Sequence, residues 1–382
     1  MQVPMTALAE EYESLREPID AAIHRVLASG RYVLEDELAE FENEFASFIG
    51  TRFAVGVGSG SAALTIALKA AAVGPGDEVI TAPNTDNPTA SAIEHVGASV
   101  VFADTDPHTF NIDPEQIERK LTERTRVLLP VHLFGNPADM DAVSEIAARN
   151  HLMVIEDSAL AVGAVHRGQM TGTFGLIGCF SLAPSKILGA YGDAGIVVTD
   201  DEQIADRIRV LRNYGHAPGI DLDPANLLGG TNWEVRDHGY NSRLDAIQAA
   251  VLRIKLESLK GRIDRRREAA ARYDRLLEPL RLATPVVRPG MEPVFYAYTV
   301  LAEDRDRVRN ALAADRISTR LYYNPPLHLQ PAFAHLGQGP GSFPVTEATA
   351  AQMIALPIFP QVTEEQQSWV ASSLERAVGV RL

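Results

Sequence analysis

A lysine set among apolar and small residues is the first group in this chain that could do covalent chemistry. Lys186 is one of five lysines in 382 residues and lies in Cys179-Phe180-Ser181-Leu182-Ala183-Pro184-Ser185-Lys186-Ile187-Leu188-Gly189. Such neighbours partly desolvate the amine and favour its neutral, nucleophilic form. Upstream, Val154-Ile155-Glu156-Asp157 reads as a buried strand that ends in carboxylates. An aspartate at a strand end and a lysine in a Gly- and Ser-rich loop are the pair that pyridoxal phosphate (PLP) needs. The carboxylate keeps the pyridinium nitrogen protonated so that the ring can draw off electrons, and the amine holds the aldehyde covalently. Taken alone, the two residues fit a surface lysine and a helix-capping aspartate equally well, because neither spacing is a strict motif.

Three further stretches carry usable groups. Gly58-Ser59-Gly60-Ser61-Ala62-Ala63-Leu64 places small residues between a strand and a helix start, where N–H groups and the helix dipole attract an anion and Ser61 adds a hydroxyl. The same residues also make an ordinary serine cap. Ser181, five residues before Lys186, could reach the same phosphate or be a plain strand serine. Asn241, in Asn241-Ser242-Arg243-Leu244-Asp245, reads as a helix cap. The loop Tyr322-Tyr323-Asn324-Pro325-Pro326-Leu327-His328 carries phenol and imidazole groups that suit either inter-domain packing or substrate contact.

Composition narrows the class. Charged residues at 22% and hydrophobic ones at 46% describe a globular chain, and 382 residues suggest two domains. A net charge of −15 argues against nucleic acid or an anionic membrane as partner. A phosphorylated ligand therefore needs a local positive site. The single cysteine, Cys179, excludes an intrachain disulfide and a cysteine-built zinc site. No apolar run approaches membrane-spanning length, and Met1-Gln2-Val3-Pro4-Met5 lacks the basic and apolar regions of a signal peptide, so a cytoplasmic protein is expected.

The elements that must position these groups follow a regular order. From Phe53 to about Thr199, short apolar strands (53–57, 78–81, 99–102, 126–131, 152–155) alternate with amphipathic helices near 61–72, 89–95 and 140–149. This pattern predicts a largely parallel sheet covered on both faces, with ligand sites at the carboxyl ends of its strands. Residues 201–213 read as a helix and 215–240 as a functional loop rich in Gly, Pro and Asn. Leu244 to about Leu277 reads as one long helix with Leu244, Ile247, Val251 and Ile254 on a stripe. The remainder, with a strand at 297–301 and helices at 305–314 and 364–377, predicts a small α+β domain. The expected division is a large cofactor-binding domain over 1–255 and a small C-terminal domain over 256–382.

Together these segments resemble the DegT/StrS family of PLP-dependent sugar aminotransferases, from Val3-Pro4 to the last helix. The resemblance is carried by Ser29-Gly30-Arg31-Tyr32-Val33-Leu34, Phe41-Glu42, Gly58-Ser59-Gly60-Ser61, His132-Leu133-Phe134-Gly135, Glu156-Asp157, Phe180-Ser181 and Pro184-Ser185-Lys186. It continues through Gly192-Asp193-Ala194-Gly195, Arg212-Asn213-Tyr214-Gly215, Tyr240-Asn241-Ser242-Arg243 and Leu356-Pro357-Ile358-Phe359-Pro360. It implies an α/β fold of PLP fold type I, like aspartate aminotransferase, with a parallel or mixed sheet between helices and a small α+β domain. It further implies that Lys186 binds the cofactor aldehyde, that Asp157 pairs with the ring nitrogen, and that Gly60, Ser61 and Ser181 hold the phosphate. Asn241 would reach the neighbouring subunit's site, which implies at least a homodimer. Asn87, Tyr214, Tyr323 and His328 are the candidate substrate contacts.

Two positions depart from the family pattern. Leu160 stands where the family places a glutamine on the cofactor ring oxygen, and Asp86, in Asn84-Thr85-Asp86-Asn87-Pro88-Thr89, stands where it places a stacking aromatic. Losing one hydrogen bond and one stacking contact costs roughly 1–3 kcal/mol of cofactor affinity. Asp86 also suits the N-cap of the helix that begins near Pro88. The expected reaction is amino transfer from glutamate or glutamine to a keto-sugar, nucleotide-linked, with Lys186 as acid and base. A cyclitol ketone, a dehydratase-like PLP reaction and a silent binding paralogue are the alternatives. Family members that dehydrate carry histidine in place of the lysine, and retention of Lys186, Asp157, Ser181 and Asn241 speaks against a silent protein.

Overall fold

The computed structural model describes residues 1–217 and 234–379; most of the 215–240 segment expected to be a functional loop lies outside the described residues. The chain opens with α1 (Leu8–Ser29) and α2 (Asp36–Ile49), each ended by a glycine in left-handed backbone, Gly30 and Gly50, whose N–H meets a last-turn carbonyl. Strands and helices then alternate: β1 (Phe53–Val57), α3 (Gly60–Ala70), β2 (Glu78–Thr81), α4 (Asn87–His95), β3 (Ser99–Phe102), α5 (Pro114–Lys120), β4 (Thr125–Leu128), α6 (Met140–Arg149) and β5 (Met153–Asp157). A small hairpin, β6 (Val165–His166) and β7 (Gln169–Met170), leads to β8 (Ile177–Ser181), β9 (Gly195–Thr199) and α7 (Glu202–Arg212).

Seven of these strands form one sheet in the order β1-β9-β8-β5-β4-β2-β3. The run from β3 to β8 is parallel, as the alternation predicts, whereas β9 lies antiparallel between β8 and β1. Both faces are apolar, as a covered sheet requires. Val55, Ile155, Cys179 and Val197 face a core with α3, α4 and α7, while Ala54, Phe180, Ile196 and Val198 face a core with α2. The reversal of β9 sets Gly195 opposite both Ser181 and Val57. The start of β9 and the ends of β1 and β8 therefore share one edge.

The rest of the chain comprises α8 (Ala246–Glu257), α9 (Leu259–Leu277), β10 (Met291–Glu292), β11 (Tyr298–Leu301), α10 (Arg305–Ala314), α11 (Pro344–Gln352), β12 (Met353–Leu356) and α12 (Glu364–Val378). The long helix expected over Leu244–Leu277 is in fact two helices. It starts at Ala246 after Asp245 and breaks at Ser258, where the backbone turns to φ −96°, ψ 0°. The two helices serve two cores, and the hand-over falls within α9, whose Leu259 and Ile263 still pack on the sheet side. Ala249 and Leu252 of α8 pack on the sheet side, whereas Ala269, Ala270 and Tyr273 of α9 pack with β11, β12, α10 and α12. Asn241 is consequently not a helix cap; it pairs with Asn213 in an isolated bridge, four residues before the cap position. Among the described residues, no helix is long and apolar enough to cross a membrane.

Candidate active site

The chain leaves β1 through Gly58-Ser59, and the Ser59 hydroxyl caps α3 by accepting from Ala62 N–H at 3.1 Å. This turn crosses β8 and β9 so closely that only glycine fits. A Cβ on Gly195 would stand 2.2 Å from the Ser59 carbonyl oxygen, and one on Gly60 would stand 2.5 Å from Ser181 Cβ. Because Ser59 does the capping, Ser61 is left to line the cavity with Gly60 and Ser181. First-turn N–H groups of α3 have no intrahelical acceptor, so this end of the cavity suits an anionic group such as a phosphate.

Asp157 ends β5 and is 4% exposed. Its Oδ2 accepts from the Thr89 hydroxyl at 2.8 Å and its Oδ1 from Ala159 N–H at 3.1 Å. Burial pushes its pKa above the ordinary carboxylate value, and the Thr89 and Ala159 hydrogen bonds and the charges of Lys186 and His132 oppose that rise. Glu156 next to it has another task. It accepts N–H bonds from Gly172, Phe174 and Gly175 at 2.7–2.8 Å and meets His132 Nε2 at 3.0 Å. His132 Nδ1 accepts from Ala138 N–H at 3.0 Å, which places the proton of a neutral ring on Nε2. Glu156 thus ties the 172–175 turn to the sheet, while Asp157 faces the cavity.

Lys186 lies in the loop between β8 and β9. Its Nζ sits 5.0 Å from the ring centroid of Tyr296, and its amine has no hydrogen-bond partner among the described residues. The Tyr296 ring lies 6.4 Å from that of Tyr322, which packs in turn against Phe134 and Tyr323 at 5.8 and 5.2 Å. Burial, then the charge of Asp86, hold the Tyr323 phenol well above its usual pKa, so it stays a neutral hydroxyl donor. Asp157, Lys186, Tyr323 and the Gly60 turn share a cavity of about 200 Å³. The residues present fit PLP: the glycine-crossed seat would take its phosphate, Asp157 its ring nitrogen and Lys186 its aldehyde.

The remaining expected residues divide. Leu160 and Asp86 both line the cavity; Leu160 is 5% exposed, and Asp86 also caps α4 by accepting from Asn87 N–H at 2.8 Å. Tyr323 lines both this cavity and a neighbouring cleft, where Asn87 lies. Asn241 does not line the cavity; it lies in an open cleft that shares Ser59, Ser61 and Asp193 with it. Tyr214 is exposed away from the cavity, under the Arg243 guanidinium at 5.0 Å. His328 is a correction. It is 1% exposed, packs on Phe343 and bonds Glu347 through Nε2 at 3.1 Å, so it holds its own loop rather than a substrate. Thr89, Asp193 and Tyr296 went unread. Thr89 in the first turn after Asp86 and Asp193 beside Gly195 carried a positional signal; Tyr296, far along the chain, carried none.

The model of the DegT/DnrJ/EryC1/StrS aminotransferase family matches residues 13–375. The chain is 42% identical, over 98% of its length and 98% of the other protein, to a pleiotropic regulatory protein of Geobacillus stearothermophilus. It is 43% identical, over 96% of its length and 93% of the other protein, to a dTDP-3-amino-3,4,6-trideoxy-alpha-D-glucose transaminase of Streptomyces venezuelae. Its fold superposes on the crystal structure of S. venezuelae DesV with a TM-score of 0.94 at 42% identity, covering 100% of this chain and 99% of that one. A match of this extent in both sequence and fold places the chain in the DegT/DnrJ/EryC1/StrS family of PLP-dependent aminotransferases.

Proposed function

We propose that this enzyme moves an amino group from glutamate or glutamine to a ketone on a nucleotide-linked sugar, at sites completed by a second copy of the chain. The observation that carries the reading is the meeting of Lys186, Asp157 and the Gly60–Ser61–Ser181 seat in one cavity. The S. venezuelae transaminase supports the acceptor class. The cavity suits a polyhydroxylated acceptor, since Asp86 offers an acceptor and Tyr323 a donor beside Lys186. Sharing between subunits is supported by charge. Among the described residues, Lys186 is the only lysine or arginine lining the cavity, against Asp86, Asp157 and Asp193, and Asn241 opens onto the adjoining cleft instead of its own site.

Bound PLP supplies an electron sink for the carbon that loses its proton. Asp157 holds the ring nitrogen protonated, and the hydrogen bond from Thr89 fixes the orientation of that carboxylate. Lys186 Nζ takes the α-proton of the donor and later delivers a proton to the acceptor carbon. When it carries that proton, the ammonium rests over the face of Tyr296, a contact worth about 0.5–2 kcal/mol. The apolar side of Leu160 keeps water from one wall of the cavity.

The assignment of Lys186 is tested by borohydride reduction of the PLP-loaded protein followed by peptide mapping. The cofactor should be fixed on Lys186, and Lys186→Ala should remove turnover with unchanged unfolding behaviour. An adduct on another lysine would rule the assignment out.

Site sharing is tested by mixing inactive Lys186→Ala with an inactive Asn241→Ala protein after brief unfolding. Hybrid dimers should regain part of the wild-type activity, up to about a quarter for random pairing with one intact site in each hybrid. A fully active monomer in sedimentation would exclude it.

Asp157 has a pH signature. Its folded-state pKa is raised above the unfolded value of about 3.9, so its contribution to stability is present below that value and is lost as pH rises through the folded pKa. Asp157→Asn should therefore raise the melting temperature of cofactor-free protein more at pH 8 than at pH 4, while abolishing transamination. Equal shifts at both pH values in calorimetry would contradict this.

Asp86 and Leu160 should set the acceptor. Asp86→Phe combined with Leu160→Gln should tighten PLP binding by roughly 1–3 kcal/mol, about 5- to 150-fold, yet lower kcat/KM for the native acceptor. Unchanged acceptor kinetics would show that neither position selects it.

A further inference from the structure

Far from the ring and phosphate sites, a buried charge cluster touches the loop that carries Lys186. Glu11 of α1 forms ion pairs with Lys255 at the end of α8 and Arg262 near the start of α9, and all three residues are at most 6% exposed. The Lys255 ammonium also donates to the carbonyl oxygen of Gly189 and lies 5.0 Å from the Tyr191 ring centroid. The ammonium thus lies among one carboxylate, one carbonyl and one aromatic face, with its hydrogen bond on the carbonyl. Gln248 Oε1 accepts from Tyr191 N–H at 2.8 Å, so α8 holds the loop at two points.

Gly189 is the neck of that loop. A Cβ there would stand 2.4 Å from the Pro184 carbonyl oxygen and 2.9 Å from that of Ala183, so the outgoing and returning strands touch at this residue. Ala183 O in turn accepts from Lys186 N–H at 2.9 Å. Lys186 sits on the short span between the two sides of the neck, and displacing Gly189 displaces its backbone.

We propose that Lys255, with Glu11 as its buried counter-ion, is a positioning residue for Lys186, gripping the neck of its loop at the Gly189 carbonyl. The inference rests on Lys186 being the cofactor lysine. The cluster reaches the loop from α1 and from both sides of the Ser258 break, so it couples the placement of the reactive amine to the packing of three helices.

The test uses PLP-loaded Lys255→Met, which keeps the aliphatic stem and removes the grip. Misplacing a reactive group by about 1 Å costs up to about 100-fold, so kcat should fall roughly 10- to 100-fold with donor KM within about twofold. The pH midpoint of the cofactor's visible band should also shift, and Lys255→Arg should restore part of both. A purely stabilising role would lower the melting temperature and leave kcat and the midpoint alone, which would overturn the proposal. If Lys255→Met fails to fold because Glu11 is left with one partner, Gln248→Leu decides. It frees Tyr191 N–H only, and should shift the midpoint in the same sense as Lys255→Arg and lower kcat about threefold, at the low end of that range. No change there would also overturn the proposal. Borohydride mapping of the wild type keeps the two claims separate. An adduct away from Lys186 refutes the underlying reading, whereas an adduct on Lys186 with unaffected variants refutes only the role of Lys255.

Discussion

A carboxylate buried without full compensation, Asp157, is the constraint around which the site is built. Taking a charged carboxylate out of water is costly unless hydrogen bonds or a counter-charge replace the lost hydration. Its neighbour Glu156 has that replacement, with three backbone N–H donors and an imidazole around its two oxygens. Asp157 has a threonine hydroxyl and one backbone N–H. Two adjacent residues of one strand therefore differ in kind. Glu156, with four donors, ties the fold together, and Asp157, with two, keeps capacity for one more donor such as the protonated ring nitrogen of the proposed cofactor. α4 is drawn into this arrangement because its first turn must bring Thr89 onto Asp157, and Asp86, at its cap, is carried to the cavity wall by the same requirement.

Opposing electrostatic demands meet in the cavity. The chain carries a net charge of −15, yet the ligand it suits has an anionic phosphate. The seat answers with uncharged donors: serine hydroxyls and the N-terminal amides of α3, brought within reach by glycines that let three strand ends and a turn cross. With neutral donors at the seat, Lys186 is the sole lysine or arginine that lines the cavity among the described residues.

What could be read from the sequence was what depends on nearby residues. The strand–helix alternation, the edge to which ligands go, and the Lys186 and Asp157 pair all follow from local composition. The family pattern added Asp86 and Leu160 as departures, and the structure places both on the cavity wall. Features set by distant partners were not legible. Nothing near Gly195 announces that β9 runs backwards, and nothing near Ser258 shows that the stripe on α8 and α9 serves two cores. His328 misled for the same reason. Its loop has the look of a binding segment, but Glu347 and Phe343 claim the imidazole. Tyr296 and Lys255 were invisible because their roles depend on a loop more than sixty residues upstream.

The reversed strand also bears on how strictly the register of the sheet is held. Gly195 must land beside Ser59 with no room for a Cβ, and Ile196 and Val197 must then fall into opposite cores. A slip of β9 by one position would turn its side chains inside out and push a substituted carbon against the Ser59 carbonyl. One residue without a side chain therefore sets where the whole strand begins, whatever path the loop before it takes.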